Sequence, residues 1–140
     1  LRLRAAVGDV IGANFDPSHL FWQGMDPVAA IRELKGAIYH FHAKDTKLDL
    51  YNTSKNGVLD TKHFTREDQR SWLFRTVGYG HGEETWRAIS SELRLAGYDH
   101  VISIEHEDSL MTSTEGLVKA VTFLGKVMIA EPKPTGMWWA

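Results

Sequence analysis

Ile38-Tyr-His-Phe-His-Ala-Lys-Asp-Thr46 is the stretch on which the fold of this 140-residue chain turns. Its β-rich start and alternating character read as a strand, and Asp45 then opens a polar loop. Alternation puts Ile38, His40, His42 and Lys44 on one face and Tyr39, Phe41 and Ala43 on the other, where they can pack against a helix. Two imidazoles and an ammonium opposite an apolar face would fill a core poorly. At the mouth of a parallel barrel the same row places an imidazole ligand beside a cationic substrate contact. A structural His pair with a solvent-facing Lys is the plainer alternative.

Upstream, Asp26-Pro27 opens a helix, with Asp as N-cap and Pro at the first helical position. Val28, Ile31 and Leu34 form its apolar stripe, and Gly36 ends it. Before that, Asp9 to Asp16 is β-prone and stops at Pro17-Ser18, with Gly12, Asn14 and Asp16 sharing a face. Leu1 to Gly8 looks like the end of a helix closed by glycine, without an initiator Met or an N-terminal cap. The expectation is a chain that starts inside an element and forms a piece of something longer.

Downstream, the pattern weakens from Lys47 to Gln69, and Asn52-Thr-Ser-Lys-Asn-Gly57 is turn chemistry. So long a connector is expected to be a functional loop over a site. Trp72 to Val77 is a further strand candidate, running into Gly78-Tyr-Gly-His-Gly82. Glu83 and Glu84 suit the N-terminus of a helix with Trp86, Ile89, Leu93 and Ala96 as its stripe. His100 to Glu105 is the last strand, with Val101, Ser103 and Glu105 opposite Ile102 and Ile104. Thr112-Ser-Thr-Glu115 is a capping box for a helix carrying Leu117, Val121, Leu124 and Met128. Residues 131–140 read as an irregular tail whose Trp138-Trp139 pair packs on a neighbour.

Alternating β and α elements imply a parallel sheet with helices outside it. The polar residues gather at the C-terminal ends of these strands, as they do at a barrel mouth. Asp16, His42 and Glu105 each lie near the end of a different strand, opposite its apolar side. One imidazole and two carboxylates make a hard-to-borderline site, suited to Mn²⁺, Mg²⁺, Co²⁺ or Zn²⁺. Helix caps or surface charges are the alternative use of acids at strand ends.

Composition narrows the classes. The net charge is −2, with 16 basic and 18 acidic residues, so nothing suggests a nucleic-acid partner. The chain has no cysteine, which excludes disulfides and thiolate metal sites and fits a cytoplasmic setting. No apolar run approaches the roughly 18 residues of a membrane span, so no membrane partner is expected. Nor does an apolar segment follow Arg2 and Arg4 as in a signal peptide.

Asn14-Phe-Asp-Pro-Ser-His19, His40-Phe-His-Ala-Lys-Asp45, Gly78-Tyr-Gly-His-Gly82 and Ile104-Glu-His-Glu-Asp108 together resemble the sugar phosphate isomerase/epimerase family. That family belongs to the xylose-isomerase-like TIM barrels of the AP endonuclease family 2 superfamily. The resemblance implies one domain over residues 1–140, a parallel (β/α) barrel of which about four β/α units, the C-terminal half, are present. It implies one divalent metal held by Glu, Asp, His and Glu, of which Asp16, His42 and Glu105 match the last three. The first Glu belongs to a barrel half that would precede Leu1. By the same resemblance His19 contacts substrate, Lys44 and Arg75 are candidate cationic substrate contacts, and Glu105 doubles as the catalytic acid/base. His40 and His106 are left as packing or supporting groups.

The implied activity is metal-dependent isomerisation or epimerisation of a sugar or sugar phosphate by α-proton transfer through an enediolate. Dehydration of a keto-polyol, and a non-catalytic fragment or ligand-binding module of the same shape, are the alternatives. A half barrel would leave sheet edges and apolar surface open, so a homo-oligomer is expected.

Overall fold

The computed structural model describes residues 1–140 other than Lys133, Trp138 and Ala140, so the expected Trp138-Trp139 pairing lies outside the described residues. Helix α1 (Arg2–Val7) is exposed and ends at Gly8, whose φ of 87° is a conformation glycine adopts freely. The chain continues through β1 (Ala13–Phe15), α2 (Ser18–Phe21), α3 (Pro27–Glu33), β2 (Ile38–Ala43) and β3 (Asp45–Leu48). Next come α4 (Leu50–Asn56), a 3-10 turn (Glu67–Gln69), β4 (Trp72–Arg75), α5 (Glu83–Leu95), β5 (Ile102–Ile104) and α6 (Ser113–Val127).

The parallel sheet has three strands in the order β1-β2-β5. Each strand enters it after a helix or a long connection, as right-handed β-α-β crossovers require. Asp26 caps α3 as its sequence suggests, accepting from the Val28 amide at 2.9 Å. Phe15 and Phe41, paired across β1 and β2, stack with centroids 5.5 Å apart and join a core with Ile31, Ile38, Ala43, Val77, Trp86 and Ile89. Between α3 and α5, Arg32 grips Glu92 with two bonds, of 2.9 and 2.8 Å.

Four local expectations are corrected. First, the Trp72 strand is not a fourth parallel strand: β4 pairs antiparallel with β3 in a separate two-stranded ribbon, Asp45 opposite Arg75 and Leu48 opposite Trp72. The ribbon forms because the chain leaves the parallel sheet after Ala43, and its aromatic side chains find partners of their own. Trp22 stacks on Trp72 at 4.9 Å, and Phe64 lies over Phe74 at 6.3 Å. Second, the β1–β2 register slips between Ala13 and Asn14, giving β2 one extra residue there. Ile38 therefore joins Phe41 and Ala43 in the core, and Tyr39 is exposed. The Tyr39 ring lies over Gly12, where any Cβ would collide with it.

Third, the turn-like run that starts at Asn52 is helical as far as Asn56, and Gly57 closes the helix. Asp49 caps α4 by accepting from the Asn52 amide at 2.8 Å. The Asn52 side chain donates to the Asp68 and Arg70 carbonyls, which ties the helix to the following segment. Fourth, α6 buries Gly116, Ala120, Leu124 and Val127, while Leu117 and Val121 face outward. The helix approaches so closely that a Cβ on Gly116 would collide with the His106 ring, and only the small-residue face fits.

Candidate metal centre

Three strand ends converge because their registers run in phase. Phe15 pairs with Phe41, so the next residues, Asp16 and His42, emerge side by side. On the other edge His42 pairs with Ser103 and Ala43 with Ile104, which brings Lys44 and Glu105 together at the end of the ladder. The Glu105 amide continues that ladder, donating to the Ala43 carbonyl at 3.2 Å. Asp16, His42 and Glu105 each offer a ligand atom, and the three atoms lie within 4.8 Å of one another. All three side chains are half-buried, so a cation can reach them from the strand ends.

The donor set suits a divalent ion of the hard-to-borderline class. Metal–ligand bonds of about 2.0–2.2 Å span at most about 4.4 Å across an ion, so these donors need only a small inward movement to share one. Asp16 and Glu105 are also held from behind. Asp16 Oδ1 accepts from the Ser18 amide at 2.8 Å, which turns the carboxylate at the strand end. His42 Nδ1 lies 2.5 Å from Glu105 Oε2. Glu105 Oε1 accepts from Lys44 Nζ at 2.9 Å, leaving Oε2 as the oxygen that faces His42.

The Lys44 bond, helped by His42, pulls the Glu105 carboxyl down to about 2. Lys44, expected as a cationic substrate contact, is enclosed by carboxylates and an aromatic ring. Rather than standing free as a substrate contact, it is 3% exposed, over the Phe74 ring at 3.9 Å and between Glu105 and Glu107 at 2.9 Å each. Burial alone would lower its pKa, but the two carboxylates outweigh burial and raise it. Glu107 was not singled out in the sequence, although its parity with Glu105 on the same strand exit was a usable signal.

His19 is half exposed beside the trio, with Nε2 3.4 Å from Asp16 Oδ2 and its ring edge-on to Phe74 at 5.6 Å. Arg75 sits farther out on β4, where Nη1 donates to the Phe74 carbonyl at 3.1 Å and meets Asp108 Oδ1 at 3.4 Å. Burial would raise Asp108, but the amides of Thr76 and Leu110, donating at 2.8 and 3.0 Å, hold it below the usual carboxylate range. His40 is a supporting group, bonded to Ser103 Oγ at 2.8 Å.

Asp45 is the residue that sequence reasoning placed least well. It is fully buried, and it ties down the glycine run: Oδ2 accepts from the amides of Gly78, Gly80 and His81 at 3.0, 3.1 and 2.9 Å. His81 Nδ1 also meets Oδ1 at 2.8 Å, and the same ring stacks on Phe21 of α2 at 3.7 Å. A cavity of about 390 Å³ opens beside the cluster, lined by Phe64, Phe74, Arg75 and Glu107 among others.

Comparison with known proteins bears on the fold. Residues 1–127 match a family model described as the xylose isomerase-like TIM barrel. The chain is 42% identical over 123 residues to the uncharacterized protein YfiH of Bacillus subtilis (strain 168), covering 88% of this chain and 39% of that protein. It is 28% identical over 106 residues to the rhizopine catabolism protein MocC of Rhizobium meliloti, covering 76% of this chain and 31% of that one. A crystal structure of a xylose isomerase domain protein from Planctomyces limnophilus shares the fold, with a TM-score of 0.60 at 24% identity, over 90% of this chain and 42% of that chain. This chain thus spans well under half the length of the curated relatives it matches. With parallel strands, outer helices and a match over nearly its whole length, the chain belongs to the xylose isomerase-like TIM barrel family.

Proposed function

We propose that the protein of which this chain forms part is a metal-dependent isomerase or epimerase of a sugar or sugar phosphate, working by α-proton transfer through an enediolate. Membership of a family of sugar-modifying barrels supports the general class. The observation that carries the finer reading is the convergence of Asp16, His42 and Glu105 at three strand ends.

Each residue's part follows from its surroundings. Asp16, His42 and Glu105 would hold one divalent cation, with Glu105 presenting Oε2 while Lys44 occupies Oε1. His19, exposed beside Asp16, can donate to a substrate oxygen. Glu105, charged at neutral pH, takes the proton from the carbon next to the carbonyl and can return it to the neighbouring carbon on the same face; return to the opposite face, as epimerisation needs, would fall to a second carboxyl group across the substrate. A carboxylate held near 2 is a firm ligand and a weak base. Proton uptake by so weak a base is uphill unless the charge left on the substrate oxygens is offset as it forms, and offsetting it is the chemistry a divalent cation supplies here.

The test is exchange of a ketose α-proton with solvent deuterium, followed by proton NMR in the presence of Mg²⁺ on the full-length protein. Glu105→Gln keeps the size of the side chain and removes the base, so exchange is expected to stop while the fold persists. Unchanged exchange in that variant removes Glu105 from the mechanism. Ligand binding without exchange in the native protein favours a binding module instead.

A keto-polyol dehydratase is the second reading. It shares the proton abstraction, and the MocC relative carries a name from catabolism. Loss of water from the substrate, read by mass in the same experiment, separates the two.

A further inference from the structure

We propose that the cavity beside the metal cluster seats the polyhydroxylated end of the substrate and selects an uncharged polyol over its phosphate monoester. This rests on the reading above only for where the reacting end lies. The cavity starts one side chain from the cluster: Glu105 bonds Lys44, and Lys44 bonds Glu107 and covers Phe74, which both line it. Its volume of about 390 Å³ falls within the roughly 300–1,000 Å³ of small-molecule sites.

The lining has the two kinds of surface that a polyol needs. Phe64, half exposed and stacked on the buried Phe74 at 6.3 Å, gives the lining apolar ring surface for C–H groups. Arg75 supplies donors. Among the described residues only its Nη1 is engaged, which leaves the hydrogens on Nε and Nη2 for ligand oxygens. Glu67 and Glu107 supply acceptors on the same lining. A hydroxyl both donates and accepts, so it can satisfy the guanidinium and the carboxylates together.

A phosphate cannot do the same. It accepts only, and it carries about −1.5 to −2 charge at pH 7. The ionisable lining, His106 apart, is three carboxylates, Glu67, Glu107 and Asp108, against the single guanidinium of Arg75. Asp108 already faces that guanidinium, and the next cation, Lys44, lies between Glu105 and Glu107. Like charges that close favour the neutral ligand.

The experiment titrates the full-length protein calorimetrically with D-sorbitol and with D-sorbitol 6-phosphate, each with and without Mn²⁺. Neither probe has a carbonyl, so the cavity is read apart from any reaction. Sorbitol is expected to bind at least about tenfold more tightly than its phosphate, and Glu67→Lys at the half-buried rim is expected to shrink that ratio about tenfold. Arg75→Met is expected to weaken sorbitol while leaving the Mn²⁺ titration as in the native protein. Equal or tighter binding of the phosphate overturns the inference, as does absence of heat from sorbitol with Mn²⁺ bound. A ratio unmoved by Glu67→Lys also overturns it. A native protein that takes up no Mn²⁺ yet prefers sorbitol would sink the metal reading and keep this one.

Discussion

Replacing Asp45 by Asn tests whether one buried carboxylate holds the glycine run in place beside the site. Its Oδ2 accepts from the amides of Gly78, Gly80 and His81 and from Trp86 Nε1 at 3.3 Å. Its Oδ1 accepts from the Thr46 amide at 2.8 Å and faces His81 Nδ1. An asparagine that keeps its oxygen at the Oδ2 position retains the four bonds there, weakened because the acceptor is now neutral. Its NH₂ group then points at two donors. His81 can change tautomer and accept, but the Thr46 amide cannot.

The expected cost is the loss of one buried bond plus the weakening of four, about 2–4 kcal/mol from bonds worth ~1.5–3 kcal/mol each to a charged group. Against a domain stability of about 5–15 kcal/mol that is a large fraction. Urea unfolding of native and Asp45→Asn proteins measures the cost. Amide exchange locates it, with faster exchange expected at Gly78, Gly80 and His81. A change below about 0.5 kcal/mol, the scatter of ordinary surface substitutions, refutes the hub. So does a large loss that leaves exchange at those three amides untouched.

Gly80→Ala is expected to destabilise comparably, since an added Cβ would collide with the Thr46 carbonyl and would stand 2.5 Å from Asp45 Oδ1; thermal unfolding reads it. Acid should weaken the fold. Asp60, drawn down chiefly by the Lys62 amide, and Asp108 both sit below their ordinary 3.8. Their contribution is complete above about pH 4 and fades as pH falls through the lowered values. Stability measured from pH 5 to 2 should therefore drop, with a shallower slope in Asp108→Asn. Among the described residues the outer strands β1 and β5 each pair only with β2, so the chain by itself is expected to self-associate. A sharp monomer in sedimentation, with protected amides in Ala13–Phe15 and Ile102–Ile104, would count against it.

What could be read from the sequence was what depends on neighbours along the chain. The cap at Asp26, the stripe of α5, and the exit of Asp16, His42 and Glu105 from separate strands all follow from local pattern. In a parallel sheet those exits lie at one end whatever the rest does. The misreadings all involve a partner distant in sequence. Asn52 belongs to a helix because it bonds carbonyls 16 and 18 residues away. The inner face of α6 was misjudged because hydropathy favours Leu117 and Val121, while the approach of His106 admits only Gly116 and Ala120.

Lys44 shows how such a distant partner changes a functional reading. By alternation it extends the His40–His42 row toward solvent, and a free cation at a barrel mouth reads as a hand for substrate. Two carboxylates 61 and 63 residues later, and the ring of Phe74, enclose it instead. A lysine so enclosed has little left to offer a ligand, since Glu105 and Glu107 take two of its three donors within a buried position. It acts on the site through Glu105, fixing which oxygen turns toward His42. The free guanidinium donors lie farther out on Arg75, across a lining rich in carboxylate. Of the two cationic contacts expected, Arg75 is the one that keeps donors free among the described residues.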